Sequence, residues 1–364
     1  MNKINYIAPI NNSTGYGITA TNILRSIVEN NENDVYLFPM GSVSVDGPSE
    51  KQWLENIIAK QSNNNFDVSA PCLKVWHPHD LALRVGKGKY GALIFFELDT
   101  LKEIEKKHIN NLDVVFVASH WGKKILEDNG IKTKIVVSPL AVDTNIFKDH
   151  QHPKTFDKDT YKFINIGKWE IRKGHDFLLE AFNNAFTKED NVELFMINQN
   201  PFLSAQENQI WADMYKSSEL GDKITTVARV ATHLDLAKFI RDMDCGFFPA
   251  RAEGWNNEIL EVMALNKPII TTNYSAHTEY CTKENSFLID IDELTEAEDG
   301  KFFNGEGKWA NLGEKQMEQA VEYLRKVYKE GIRTNPTGFL ETVKKYTWEN
   351  TASIITTEMF DAST

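Results

Sequence analysis

The chain has 364 residues, more than one ordinary core needs and about right for two domains of ~100–200 residues each. With 41% hydrophobic and 25% charged residues, each half can bury a core without disulfides or metals to hold it. The net charge of −12 is unevenly shared: residues 1–150 carry 16 Lys and Arg against 17 Asp and Glu, and residues 151–364 carry 24 against 35, so neither half has the basic balance that favours nucleic acid as a partner.

The first strand is read over residues 4–10, an apolar run too short for a secretory leader and lacking a small-residue cleavage site. Asn11-Asn12-Ser13-Thr14-Gly15-Tyr16-Gly17 then leads into a helix expected from Thr19. Gly15 and Gly17 let backbone approach a ligand closely, and an ordinary strand-to-helix turn explains them about as well. Further strands are expected at 35–38, 73–76, 92–96, 114–118 and 135–137, most of them near-continuous apolar runs suited to a sheet covered on both faces. His77-Pro78-His79-Asp80 stands at a strand's carboxyl end, where cleft residues collect, with Asp80 read as a cap for the next helix. Glu97 and Asp99 end the following strand and are candidate contacts to an acceptor hydroxyl. Thr100 with Glu103 has capping-box spacing, Ser119 occupies an N-cap position, and Lys102, Lys106 and Lys107 read as a solvated helix face.

Periodicity fails between Asp143 and Tyr161, and the polar, Pro-containing stretch 150–154 reads as a linker. A second α/β series follows, with strands expected at 163–166, 193–197, 224–227, 245–249 and 269–272. A last helix carrying Tyr346-Thr347-Trp348-Glu349 runs on to the C-terminus. Cys72, Cys245 and Cys281 are odd in number, far apart and without ligand spacing, which points to a reduced, cytoplasmic protein. No segment approaches the ~20 apolar residues that span a membrane.

Residues 245–272 form one βαβ unit, whose ligand is expected beyond the strand's carboxyl end, at the turn 251–257 where a helix N-terminus favours an anion. Glu253 and Glu261 frame that turn with seven residues between them. Glu261 interrupts the apolar run Ile259 to Leu265, and a carboxylate there needs hydrogen bonds such as ribose hydroxyls supply; a solvent-facing position accounts for the spacing alone equally well.

Glu253-Gly254-Trp255-Asn256-Asn257-Glu258-Ile259-Leu260-Glu261-Val262-Met263-Ala264 resembles the donor motif of the retaining GT-B glycosyltransferases known as family 4. The resemblance implies that Glu253 lies against the transferred sugar, that Glu261 binds the ribose, and that Gly254, Trp255, Asn256 and Asn257 belong to the donor-binding turn. The family usually has glycine where this chain has Asn256 and proline where it has Glu258. Gly167-Lys168-Trp169-Glu170-Ile171-Arg172-Lys173-Gly174 is similar to the family's basic turn, which implies phosphate contacts for Lys168 and Lys173, with Arg172 beside them. It further implies a catalytic histidine, His77 or His79, and a role for Gly15 and Gly17 at the donor phosphates.

On this reading the chain is an α/β protein of GT-B type, two Rossmann-like doubly wound parallel-sheet domains facing across a cleft. Residues 1–150, joined by the C-terminal helix 345–364, bind the acceptor, and residues 155–344 bind the donor. The expected reaction is metal-independent transfer of a sugar, with retention, from a UDP- or GDP-linked donor to an acceptor hydroxyl, with no further cofactor. Asp242-Met243-Asp244 and Asp290-Ile291-Asp292 are read as helix-end or loop acids rather than metal ligands. Two alternatives stand beside it: a non-catalytic nucleotide-sugar binding subunit, and transfer to a modified nucleic-acid base.

Overall fold

The apolar runs of the first half fold as one all-parallel sheet. The computed structural model describes residues 2–30, 33–45, 47–62, 66–147, 159–227, 229–335 and 343–361; the expected linker at 150–154 lies outside them. Two compact units result, Met1–Ala141 with Lys345–Thr364, and Val142–Lys344. Among the described residues no helix is long and apolar enough to cross a membrane.

In the first unit, β1 (Asn2–Ala8), α1 (Gly15–Glu29), β2 (Asn33–Pro39), α2 (Pro48–Ser62), β3 (Cys72–Val75) and β4 (Tyr90–Leu93) are followed by α3 (Glu103–Asn110), β5 (Val114–Val117), α4 (His120–Asp128) and β6 (Lys134–Val137). The strand order is β2-β1-β3-β4-β5-β6. Chain direction across the sheet reverses between β1 and β3, the crevice position where such sheets bind ligands.

Several expected helix starts move. The first helix begins at Gly15 rather than Thr19, because the Asn11 carboxamide accepts from the Ser13 and Thr14 backbone N–H groups and Thr14 caps Gly17. The box expected from Thr100 and Glu103 is instead built on Lys102, whose backbone N–H donates to Glu105 at 2.8 Å. Asp80 caps no helix: residues 81–89 continue without one, and Asp80 faces Lys74 at 3.9 Å. Ser119 does cap its helix, accepting from the Gly122 N–H at 3.0 Å.

The second unit comprises β7 (Tyr161–Ile166), α5 (His175–Ala185), β8 (Val192–Ile197), α6 (Ala205–Lys216), β9 (Ile224–Thr226), α7 (His233–Arg241), β10 (Cys245–Phe248), α8 (Asn257–Ala264), β11 (Ile269–Thr272) and β12 (Phe287–Ile289). An antiparallel hairpin, β13 (Leu294–Glu298) with β14 (Asn304–Ala310), precedes α9 (Glu314–Lys329). Strand order is β12-β11-β10-β7-β8-β9, with the reversal between β7 and β10. The core gathers Phe163, Phe182, Leu194 and Phe247 with Ala320, Leu324 and Val327, which recur on one face of α9.

The C-terminal helix, Trp348–Phe360, belongs to the first unit, and Thr347 is its cap rather than part of it, accepting from the Asn350 N–H at 3.2 Å. The Thr351 hydroxyl donates to the Pro139 carbonyl at 2.6 Å. Thr347→Ala is expected to cost about 1 kcal/mol, read by urea unfolding followed on the first unit; an unchanged midpoint would show that the cap contributes nothing.

Candidate active site

Residues 167–174 leave β7 and residues 249–256 leave β10, the two strands that flank the reversal, so both turns lie at the carboxyl ends where this topology concentrates ligand chemistry. The turns are tied together. Arg251 N–H donates to the Arg172 carbonyl at 2.7 Å, and the Arg251 guanidinium grips both oxygens of Asp176 at 2.7 and 2.8 Å. Gly174 opens α5 at φ +74°, and a Cβ there would sit 2.0 Å from the Pro249 carbonyl oxygen, so glycine is required for the approach.

A chain of buried ion pairs joins the two turns. Lys173 Nζ donates to Glu253 Oε1 at 2.9 Å, and Arg172 Nη1 donates to Glu253 Oε2 at 2.9 Å and to the Ala252 carbonyl at 2.7 Å. The same guanidinium holds Glu170 Oε2 through Nε and Nη2, while the half-exposed Lys168 reaches Glu170 Oε1 at 2.9 Å. Lys173 also lies 3.6 Å from Glu258. Burial alone would raise the Glu253 carboxyl, but Arg172 and Lys173 outweigh it and bring it down to about 2. Burial would likewise lower the Lys173 ammonium, and Glu253 with Glu258 instead holds it above its ordinary value.

Glu261 is the opposite case. It is 8% exposed on α8, and no hydrogen-bond partner for its carboxylate exists among the described residues. Burial, then the neighbouring Glu258, pushes its carboxyl well above the usual range. A buried acid left this way is expensive unless a bound ligand completes it.

The backbone around Glu253 is fixed by two residues that sequence reasoning missed. Ser275 Oγ accepts from the Glu253 N–H at 2.9 Å, and Ala276 N–H donates to the Glu253 carbonyl at 3.2 Å. Ser275 adopts φ +66°, ψ −157°, a region almost confined to glycine, and such strain collects at functional sites. His277 is fully buried, donates from Nε2 to the Thr272 carbonyl at 2.7 Å, and leaves Nδ1 without a partner among the described residues; burial lowers its pKa below the usual imidazole value. Glu170, quoted only as part of a matching block, is the hinge of the ion network. Its partnership with Arg172 carried no separate sequence signal beyond spacing.

The rest of the donor turn is braced rather than loose. Asn256 stands at φ +74°, the left-handed conformation that asparagine tolerates best after glycine. Trp255 is buried against Tyr280, whose hydroxyl donates to the Trp255 and Asn256 carbonyls. Gly254 and Asn257 complete the turn into α8. Of the first-unit residues, Gly15 and Gly17 fall in the opening turn of α1, half-buried His77 lies with its ring tilted 4.3 Å from that of Tyr16, and exposed His79 stacks on His77 at 5.2 Å. The two Asp-x-Asp motifs serve the fold: Asp242 caps α7, Asp244 accepts from the Lys162 N–H and pairs with Arg333, and Asp292 holds Lys315 and Gln316.

Residues 160–299 match the family model described as Glycosyl transferases group 1. The chain is 26% identical over 255 residues to an uncharacterized glycosyltransferase of Methanocaldococcus jannaschii, MJ1059; the match covers 64% of this chain and 60% of that protein, under two thirds of its length. Among solved structures, sucrose-phosphate synthase from Thermosynechococcus elongatus has a TM-score of 0.70 at 14% identity over 98% of both chains. HepE of Anabaena, solved in complex with UDP and glucose, has a TM-score of 0.70 at 14% identity over 99% of both. The fold is GT-B. The region that matches the family model contains the whole ion network.

The two glutamates should separate in a pH series. Glu253, held low, contributes stability that is present above its usual 4.5 and lost as pH falls through about 2. Glu261, held high, instead penalises the fold once pH rises above 4.5. The stability gap between the protein and Glu253→Gln should therefore be widest above pH 4.5 and close toward pH 2, whereas Glu261→Gln should match the protein in acid and equal or exceed it at pH 7. Urea unfolding at stepped pH measures both; a large loss in Glu261→Gln at pH 7 would mean that a protein partner satisfies that carboxylate.

Proposed function

We propose that the chain is a retaining glycosyltransferase that moves a hexose-like sugar from a nucleoside diphosphate to an acceptor hydroxyl. The observation that carries this reading is Glu261, 8% exposed on the helix that starts at the β10 turn, with no hydrogen-bond partner for its carboxylate among the described residues. Vicinal ribose hydroxyls are donors that would satisfy it in its ionised form. HepE, of the same fold, was solved with UDP, which favours uridine as the first base to test.

Lys168, Arg172 and Lys173 supply cationic side chains beside the same turn, where charge grows on a departing diphosphate. In the step proposed, the bond from C1 of the sugar to the phosphate oxygen breaks and its electron pair stays with that oxygen. The acceptor oxygen bonds to C1 on the same face, and its proton passes to the leaving phosphate. Both oxygens of Glu253 are already engaged, by Lys173 and by Arg172. That favours this front-face route over a covalent ester on Glu253, and leaves the carboxylate to steer the sugar. Counter-charge from these side chains makes a divalent metal unnecessary in the proposal.

The departures from the family pattern at Asn256 and Glu258 bear on the binding-only alternative. Asn256 keeps the left-handed turn a glycine would make, which supports the enzyme reading at that position.

Lys173→Ala should lower kcat by about 100-fold or more, as loss of an electrostatic group acting on the transition state does. Glu261→Gln should instead raise the donor KM by about tenfold, with kcat changed less. Steady-state kinetics with UDP- and GDP-linked sugars, read as transfer or as donor hydrolysis, distinguish them. A folded protein that binds a donor in calorimetry yet neither transfers nor hydrolyses it would replace the enzyme with a binding subunit. Activity should survive EDTA, and loss restored by magnesium or manganese would refute metal independence.

A further inference from the structure

Glu258 is the solvent-open acid of the ion network, and the donor reading does not use it. It occupies the second position of α8, its side chain is 26% exposed, and it stands 3.6 Å from Lys173. The charges around the two turns then balance: Lys168, Arg172 and Lys173 against Glu170, Glu253 and Glu258. Glu170 and Glu253 are buried and locked between their cations, so neither can withdraw from the site. Only Glu258 is both charged and partly open to solvent among the three acids. It therefore decides whether the turn region presents net positive charge to an anion or none.

We propose that Glu258 is a specificity-determining residue that weakens binding of the free nucleoside diphosphate more than binding of its sugar ester. The inference rests on the donor reading given above. Its physical basis is charge. Cleaving the sugar from the diphosphate exposes a terminal phosphate that carries additional negative charge at neutral pH. A carboxylate held beside the ammonium that faces those oxygens repels the product more strongly than the donor, and competes with the product for Lys173. The consequence is faster product release and weaker product inhibition than a neutral side chain at this position would allow. An acid at the second helical position also favours the helix dipole, but that role concerns stability alone and predicts no difference between two ligands.

The test compares the full chain with Glu258→Gln and, as a second variant of different size, Glu258→Ala, by calorimetry with UDP and UDP-glucose and with GDP and GDP-mannose. For whichever pair binds, the nucleoside diphosphate should bind about tenfold tighter to both variants, and its sugar ester should gain by a clearly smaller factor. The gain should shrink as salt is raised. Glu318→Gln on α9, which changes the net charge equally, should alter neither affinity. Binding by the unmodified chain with no gain in the variants, or an equal gain for nucleotide and ester, would overturn the role of Glu258 and leave the donor reading standing. Failure of every nucleotide and ester to bind any of the proteins would overturn the donor reading itself, and this inference with it.

Discussion

The buried pairing of Glu253 with Arg172 and Lys173 is the constraint around which the second unit is arranged. Taking these charges out of water is costly, and the cost is recovered only if every oxygen and nitrogen is met at good geometry. That requirement fixes the surrounding structure. Gly174 must be glycine so that α5 can start against Pro249; Arg251 must hold Asp176 so that the two turns stay in register; Ser275 must accept its strained backbone so that Glu253 is clamped from behind. His175, fully buried and pushed down to about 3, is neutral and accepts the Glu170 N–H through Nδ1, which aims the next link of the network. A network satisfied this fully is rigid, and rigidity is what a site that steers a leaving group needs.

Much of this was legible in the sequence because the relevant signals are local. The runs that became β5, β7, β10 and β11 are apolar and bounded by polar turns, so the parallel α/β class and the βαβ unit around Glu253 could be read directly. Strand ends were displaced by up to three residues, as where the strand expected at 92–96 stops at Leu93, since a strand buried on both faces has no alternation to mark where pairing stops. The hairpin β13–β14 was not visible: its strands are mostly exposed and polar, and three-residue β12 is too short to show a period. Helix starts failed where a side chain acts across the turn, as Asn11 does ahead of α1 and Glu105 does for Lys102.

The site divided along the same line. Glu253, Glu261 and the lysine pair were found from spacing and resemblance. The partnership of Arg172 with Glu253 was not, because it spans 81 residues of sequence and exists only once β7 and β10 lie side by side. Ser275 and His277 belong to the turn after β11 and carry no motif that spacing could expose. What the structure changes is the character of the lysines: neither is a bare cation awaiting phosphate, since Lys168 is paired with Glu170 and Lys173 with Glu253 and Glu258.

Three departures from what stability alone would select lie on the elements around the Glu253 turn. A well-made core would not keep an unpartnered carboxylate at position 261, nor a serine in a glycine conformation at position 275. Nor would it leave the ring nitrogen of His277 without a hydrogen bond. Each of these costs the fold free energy, and Glu261 lies on the helix that follows the turn Ser275 clamps. Elsewhere in the unit Asn165, Asn200 and Thr271 are paired, while Asn198 Oδ1, Ser218 Oγ, Arg241 Nε and Asn335 Oδ1 have no partner among the described residues. Three such features around one turn, beside an ion network whose charges are paired, suit the proposed site, in which a ligand would supply the partners that Glu261 and His277 lack among the described residues.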